Sequence, residues 1–393
     1  IDLVNNDEGK FNWIGLGTVV AVVAQVHLLT TVLCVLTLIP FFVYGLYQSN
    51  YKKILWLNLL KAIVLFMVLT ANIWGTFALL YSTNHVSATF AYPLTSTAIT
   101  VGLVSVWNTI LDSIIVLFFV QLCYIVTNFK ESKLNNLFTI EGLVFLFLSS
   151  QLFPWSIIEN KFPILKSTFQ FPNRLTTIAY PLLFAAIGIT ISELSKKYDK
   201  NIVNLARLAL VGIILSNLSA NYLFTDHRVK ENSIGEVTLQ KYVDDHISMP
   251  SEYLPIQKDM PSEEIHNNEA NIINPDVNKN FNKEVLKGGR LKLSWYSKKK
   301  EVILLPIFMY HQSELQFNNK KLDLNVNPIG MPFVMSEVGK NTAILSFNTP
   351  GWLTILLIIS LISWLGVITL KIISKFSKSF NIESLTLSKR KKV

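Results

Sequence analysis

Apolar runs long enough to enter a lipid bilayer recur along the sequence, and no other feature restricts its fold as tightly. A helix needs roughly 20 apolar residues to cross the hydrocarbon core. Runs that approach or exceed this length cover residues 26–47, 54–81, 110–126, 138–153, 175–191, 202–224 and 352–373. An α-helical polytopic membrane protein with about seven spans is therefore expected, the fourth and fifth spans being short. Residues 13–25 are apolar but too few to span alone, which predicts an interfacial or re-entrant helix and leaves room for an eighth span. Composition points the same way. With 51% hydrophobic and 16% charged residues and a mean hydropathy of +0.40, a soluble domain of this length would not stay in solution.

The basic residues give the orientation. Lys52 and Lys53 follow the first run, Lys130 and Lys133 the third, and Lys196, Lys197 and Lys200 the fifth, while residues 374–393 form a basic tail. With Lys61, Arg207 and Lys371 at the matching helix ends, sixteen basic residues fall on one side. The opposite gaps, outside the large polar region, hold only Lys10, Lys161, Lys166 and Arg174. The N-terminus is expected outside and the C-terminus in the cytoplasm. The net charge of +9 is thus topogenic, and a nucleic-acid partner is not expected.

This orientation divides the chain into a transmembrane bundle (1–224) with a re-entrant outer loop (154–174), an outer polar segment (225–282), an outer β-module (283–350), a last span (351–373) and a cytoplasmic tail (374–393). In the β-module, runs at 291–296, 301–310, 314–317, 322–326, 333–336 and 342–347 are rich in β-formers, with period-two alternation. Turn signals stand at 318–321 and 339–341. An antiparallel β-sandwich between the last two spans is predicted. The opening residues lack the basic-then-apolar pattern of a signal peptide, so the chain is expected to be the C-terminal portion of a longer protein.

Chemistry is most plausible in the outer loop 154–174, which carries Trp155, Phe162, Phe169 and Phe171 together with Pro154, Pro163 and Pro172. Apolar, proline-broken backbone beside a membrane is tolerated where it packs on protein or lines a cavity, so the loop should fold back as a roof. Arg174 then stands at the start of the fifth span, where a guanidinium fork suits phosphate oxygens, and Gln170 and Trp155 can contact a sugar or head group. The plainer alternative has Arg174 snorkelling to lipid phosphate and Trp155 anchoring at the interface. Asp112 is the only carboxylate inside an outer membrane half; it either faces a cavity or is simply solvated. Gln25, His27, Asn84 and His85 could line the same outer cavity, although each is more often a satisfied structural residue. Cys34 and Cys123 lie inside apolar runs and read as small hydrophobes. No metal site, cofactor fingerprint or Walker loop is present in the sequence pattern.

At Phe153-Pro154-Trp155, Gln170-Phe171-Pro172-Asn173-Arg174, Glu252-Tyr253-Leu254-Pro255, Leu305-Pro306, Tyr310 and Gly339-Lys340-Asn341, the chain resembles the YfhO-type multispanning membrane proteins of Gram-positive bacteria. Relatives of that group bear a "6-pyruvoyl-tetrahydropterin synthase-related" label, yet nothing in the residues supports pterin chemistry. The resemblance implies a GT-C-like architecture in the bacterial plasma membrane and transfer of a sugar from a polyprenyl-phosphate donor to a cell-envelope polymer such as teichoic acid. It also implies a catalytic acid in a first outer loop, upstream of Ile1, so no catalytic residue is assigned. The candidate lipid-phosphate and sugar-binding set is Arg174, Gln170, Trp155, Asn173 and Asp112. Asn173 stands where such proteins more often carry an aromatic residue. Two other functions fit the pattern: a transporter or flippase of a lipid-linked substrate, and a noncatalytic envelope protein with an outer binding domain.

The charge asymmetry makes a direct prediction. A reporter active only outside the cell should work when fused at Asn280, and one active only inside should work at Ser388. The opposite result at both positions would overturn the orientation.

Overall fold

The computed structural model describes residues 8–100, 106–232, 252–257, 281–322 and 325–390. Twelve helices can be numbered in chain order. The first six are α1 (Trp13–Val26), α2 (Leu28–Gln48), α3 (Lys52–Leu69), α4 (Ala71–Thr83), α5 (Leu94–Thr97) and α6 (Val106–Thr127). They are followed by α7 (Lys133–Ser149), α8 (Trp155–Lys161), α9 (Leu165–Thr168), α10 (Thr176–Lys197), α11 (Lys200–Asn232) and, after seven strands, α12 (Gly351–Arg390). Two compact units share these elements: Ile1–Asn12, Leu28–Asn58 and Thr89–His246 form one, and Trp13–His27, Leu59–Ala88 and Ile247–Val393 the other.

Among the described residues three helices are long and apolar enough to cross a membrane: Leu28–Gln48, Pro172–Lys197 and Gly351–Ile373. A fourth results if α3 and α4, bent by 66° at their junction, make one broken span. These coincide with the first, fifth, seventh and second runs. The third, fourth and sixth runs fall on α6, α7 and α11, and α7 shows why length and composition alone do not pass it: it has 17 residues, with Lys133, Asn135 and Asn136 in its first turn. In Gly351–Ile373 only 17% of the most apolar window is buried in protein. Ile355, Ile358, Leu361, Ile362 and Leu365 are all exposed, an arrangement stable in lipid and costly in water.

In the first unit, α7 and α10 pack closely at Gly142, against the Leu183 side chain and the Ala179 carbonyl. A Cβ at Gly142 would lie 2.6 Å from Leu183 Cγ, and Ala179, Leu183 and Ala186 are fully buried beside it. Small residues at such a contact let helices approach where the lipid offers no hydrophobic drive for association. One end of the same helices holds a buried polar network. Gln121 Nε2 donates to Asn135 Oδ1 and Thr139 Oγ1, both at 2.9 Å; Thr190 Oγ1 donates to Gln121 Oε1 and Asn135 Nδ2 to Thr190 Oγ1, both at 2.9 Å. Tyr124 closes the network by donating to Glu193 Oε2 at 3.1 Å. Each of these polar groups has a partner, as low-dielectric surroundings require. Glu141 differs: both of its carboxylate oxygens are buried without a hydrogen-bond partner among the described residues.

In the second unit, the α3–α4 bend leaves backbone carbonyls without helical partners, and side chains from distant elements fill the vacancy. The Leu69 carbonyl receives Ser360 Oγ at 2.8 Å, Trp364 Nε1 at 2.9 Å and Gln25 Nε2 at 3.2 Å. Trp74 Nε1 donates to the Met67 carbonyl at 2.8 Å. Gln25 and Asn72 exchange two bonds of 3.0 Å. Irregular backbone at membrane depth persists where such partners satisfy it.

Beyond α4 stands the sheet module. Its five-stranded antiparallel sheet runs in the order β1 (Asn282–Leu286), β2 (Arg290–Ser297), β7 (Gly339–Phe347), β4 (Ser313–Phe317), β5 (Lys320–Lys321). A two-stranded ribbon pairs β3 (Glu301–Leu304) with β6 (Phe333–Ser336). Leu293, Trp295, Leu315, Phe317 and Ala343 from the larger sheet meet Ile303 and Val334 from the ribbon in one core, so alternate residues of both layers point inward as expected for a small sandwich. Two differences from the sequence pattern stand out. β1 is an added strand, joined to β2 through Gly288 and Gly289 at φ +81° and +72°; in the predicted run 322–326, by contrast, only an isolated Val326–Pro332 bridge forms among the described residues. Asn318 and Asn319, at φ 45° and 66°, make the β4–β5 turn. Asn341 is fully buried, and it bonds the Glu337 amide (2.9 Å) and carbonyl (2.7 Å) and accepts from Asn318 Nδ2 at 3.1 Å.

The module is tied to the end of α4. Gln312 Nε2 donates to Thr83 Oγ1 at 2.6 Å, and the His311 amide donates to Asn84 Oδ1 at 2.7 Å. The segment around Glu252-Tyr253-Leu254-Pro255 runs alongside: Ser87 and Leu254 pair at 2.9 Å, the Ile256 amide reaches the His85 carbonyl at 2.8 Å, and the Tyr310 hydroxyl donates to the Tyr253 carbonyl at 2.8 Å. Burial pushes the Tyr310 phenol above its ordinary value, which keeps it a donor. Asn84 and Gln25 are thus spent on structural bonds. Replacing Trp364 by Phe removes one donor from the Leu69 carbonyl, which keeps Ser360 and Gln25, and should cost about 0.5–1.5 kcal/mol, seen as a lower melting temperature of the detergent-solubilised protein. Ser363→Ala, half-buried and bonded to the Ile359 carbonyl of its own helix, should change it little.

Candidate functional site

The loop 154–174 folds back against a partner that the sequence pattern does not announce, residues 89–99. Glu159 Oε2 accepts the Leu94 amide at 2.6 Å, which caps α5, where Pro93 at the N-cap makes no side-chain bond. The Tyr92 amide donates to the Lys166 carbonyl at 2.9 Å, and the Thr89 hydroxyl to the Ser167 carbonyl. Gln170 Nε2 donates to the Phe90 carbonyl at 2.9 Å, while Thr97 Oγ1 donates to the Gln170 carbonyl at 2.7 Å. At the far end, Ile99 and Ser150 form a parallel bridge, with the Ile99 amide on the Ser149 carbonyl at 2.9 Å. The Tyr92 and Phe171 rings pack at 5.0 Å.

Trp155 is the core of this arrangement. It is 7% exposed, it donates from Nε1 to the Leu148 carbonyl in the last turn of α7 at 2.9 Å, and it packs between Phe153 and Phe169. Its bond satisfies one of the carbonyls that every helix end leaves unpaired. The ring is held by protein on both sides, so its share in any site is to fix the loop.

Gln170 and Arg174 are brought together. Gln170 is buried at φ 61°, a left-handed conformation rare for a side-chain-bearing residue, and its amide oxygen accepts Arg174 Nη2 at 3.4 Å. Arg174 lies in a 3-10 turn, Pro172–Leu175, that leads into α10. Its Nη1 donates to the Phe169 carbonyl at 3.2 Å, and the guanidinium sits 4.5 Å above the Phe171 ring. A guanidinium has five N–H donors, and these two bonds leave three. No ion pair among the described residues involves Arg174. A half-buried cation is thus oriented by a carbonyl, an amide and a ring without being neutralised, which is the arrangement that accepts a phosphate or carboxylate oxygen.

Asn173 is exposed beside it, and its carbonyl accepts Thr176 Oγ1 at 2.7 Å. Asp112 lies in α6 where its side chain is outside the described residues. The residues that pattern reading passes over are Glu159, Tyr92 and Thr97. Pro93 was the local signal for a turn there, but nothing in a single sequence says which segment that turn meets. Among the described residues no cluster of His, Cys, Asp or Glu could hold a metal ion.

No protein-family model, no curated protein and no solved structure matches the chain.

Gln170→Ala removes the bond to Phe90 and the support under Arg174 and should lower stability by about 1–3 kcal/mol. Asn173→Ala, at an exposed position, should stay within about 0.5 kcal/mol of the parent. Thermal unfolding in detergent distinguishes the two.

Proposed function

We infer that the protein is a multi-pass plasma-membrane enzyme of the GT-C-like kind, moving a sugar from a polyprenyl-phosphate donor to a cell-envelope polymer such as teichoic acid. In this reading α6, α7 and α11 supply the third, fourth and sixth of about seven spans, the N-terminus lies outside and the C-terminus inside. The sheet module is then extracytoplasmic, between the last two spans. The observation that carries the proposal is Arg174: a half-buried guanidinium at the head of an apolar helix, oriented by Phe169, Gln170 and Phe171 and lacking an acidic partner among the described residues. A lipid-linked phosphate supplies the missing charge. Its polyprenyl chain would lie along the apolar helices, and its sugar would stand beside the roof, next to Asn173. The YfhO-type resemblance in the loop and sheet motifs supports the sugar-transfer chemistry.

A transporter of a lipid-linked substrate is the second reading, and the α3–α4 bend favours it, because broken helices often build transport sites. The Leu69 carbonyl freed by that bend is, however, already supplied with donors by Ser360, Trp364 and Gln25. It therefore offers nothing to a coupling ion, and the first reading is preferred.

The test is binding of a polyprenyl phosphate to the protein in lipid nanodiscs. Arg174→Gln should weaken it at least tenfold, about 1.4 kcal/mol, since a desolvated charge-assisted bond contributes about 1.5–3 kcal/mol. Lys166→Gln in the same loop should change little. Arg174→Lys should restore part of the affinity, because an ammonium keeps the charge without the fork. Equal and small effects of the two Gln variants, with insertion unchanged, would return Arg174 to the role of a membrane anchor.

A further inference from the structure

The loop that carries Gln170 and leads to Arg174 also bears large apolar side chains that the described residues leave uncovered. Trp155, Ile158, Leu165 and Phe169 pack inward, whereas Leu152, Ile157, Phe162 and Ile164 are 64%, 64%, 48% and 68% exposed. Four large apolar side chains on one short segment would be a liability in water. The backbone between them is prepared for a medium without water: the bonds to residues 89–99, and those within the loop at Phe162, Leu165 and Phe169, satisfy many of its amides and carbonyls.

Charge specifies what covers this face. Between residues 151 and 174 the only acid is Glu159, and one of its oxygens is committed to the Leu94 amide. Lys161, Lys166 and Arg174 remain as cations, and Lys161 Nζ lies 5.7 Å from the Phe162 ring, close beside the exposed apolar face. Apolar side chains next to lysines are the pattern of a segment lying at the boundary between acyl chains and phosphate head groups. The loop also runs directly into Pro172–Lys197, one of the helices able to cross the membrane.

We propose that residues 151–168 are a bilayer-docking element, with Leu152, Ile157, Phe162 and Ile164 inserted at the acyl boundary and Lys161 and Lys166 on lipid phosphates. This places one wall of the roof in the lipid, so that a lipid-borne substrate reaches Arg174 sideways from the bilayer without first entering water. Docking itself does not depend on which reaction follows.

The experiment uses the full chain, with Cys34→Ala and Cys123→Ala, reconstituted in vesicles containing phosphatidylglycerol. Single cysteines introduced as Ile157→Cys, Ile164→Cys, Asn160→Cys and Phe184→Cys carry nitroxide labels, and collision rates with oxygen and with a water-soluble nickel chelate are compared. Phe184 is an exposed residue of α10 and serves as the lipid reference. The oxygen-to-nickel ratio at 157 and 164 should match that at 184 and exceed that at 160. A ratio equal to that at 160 would place the face in water, and low collision rates with both reagents would mean that protein covers it; either result overturns the proposal. If Ile157→Cys does not insert, Leu152→Cys provides the same readout.

Discussion

An unpaired backbone carbonyl or amide is expensive away from water, and the arrangement of this protein follows from meeting that cost wherever a helix stops. The α3–α4 bend exposes the Leu69 carbonyl, and three side chains from two other helices converge on it. The end of α7 is closed by Trp155 on Leu148 and by Ile99 on Ser149. The start of α5 is closed by Glu159. Apart from Trp155, seven residues from Leu148, the residue that completes each of these helix ends comes from a distant segment, so local satisfaction and tertiary structure are achieved by the same bonds.

The candidate site inherits its rigidity from this rule. Gln170 adopts an uncommon backbone conformation because its side chain and carbonyl both have partners on residues 89–99, and the same side chain steadies Arg174. The guanidinium is therefore positioned by groups that carry no formal charge. That preserves its positive charge for a ligand, whereas a carboxylate in the same place would have neutralised it.

The sequence was legible where one face or one length decided the outcome. Residues 28–48 and 351–373 are long apolar runs, so counting residues finds the first helix and the start of the last to within two residues, although α12 continues through the basic residues to Arg390. The strands at 290–297 and 339–347 alternate because a core lies on one side. The break at Thr70 was not legible, since no proline or glycine marks it and the donors that support it lie 44, 291 and 295 residues from Leu69. β1 escaped notice because four of its five residues are exposed, and backbone pairing to β2 is what makes it a strand. For the site, the aromatic and proline content of 154–174 announced a folded loop. The role of Trp155 as a helix-end donor and the pairing with residues 89–99 were set by tertiary contacts that leave no periodicity behind.

Helix α4 joins two of these features. It has 13 residues, a rod of about 20 Å, fixed at one end by the donors around Leu69 and clasped at the other by Gln312, His311 and the 252–257 segment of the sheet module. Mechanically it is a lever with both ends loaded. A tilt of the sheet cannot be absorbed at Thr83 and Asn84, where short bonds hold it, so its torque is delivered to the 66° bend. There it meets the three donors that share the Leu69 carbonyl oxygen, braced by Trp74 on Met67 and by the paired Gln25 and Asn72.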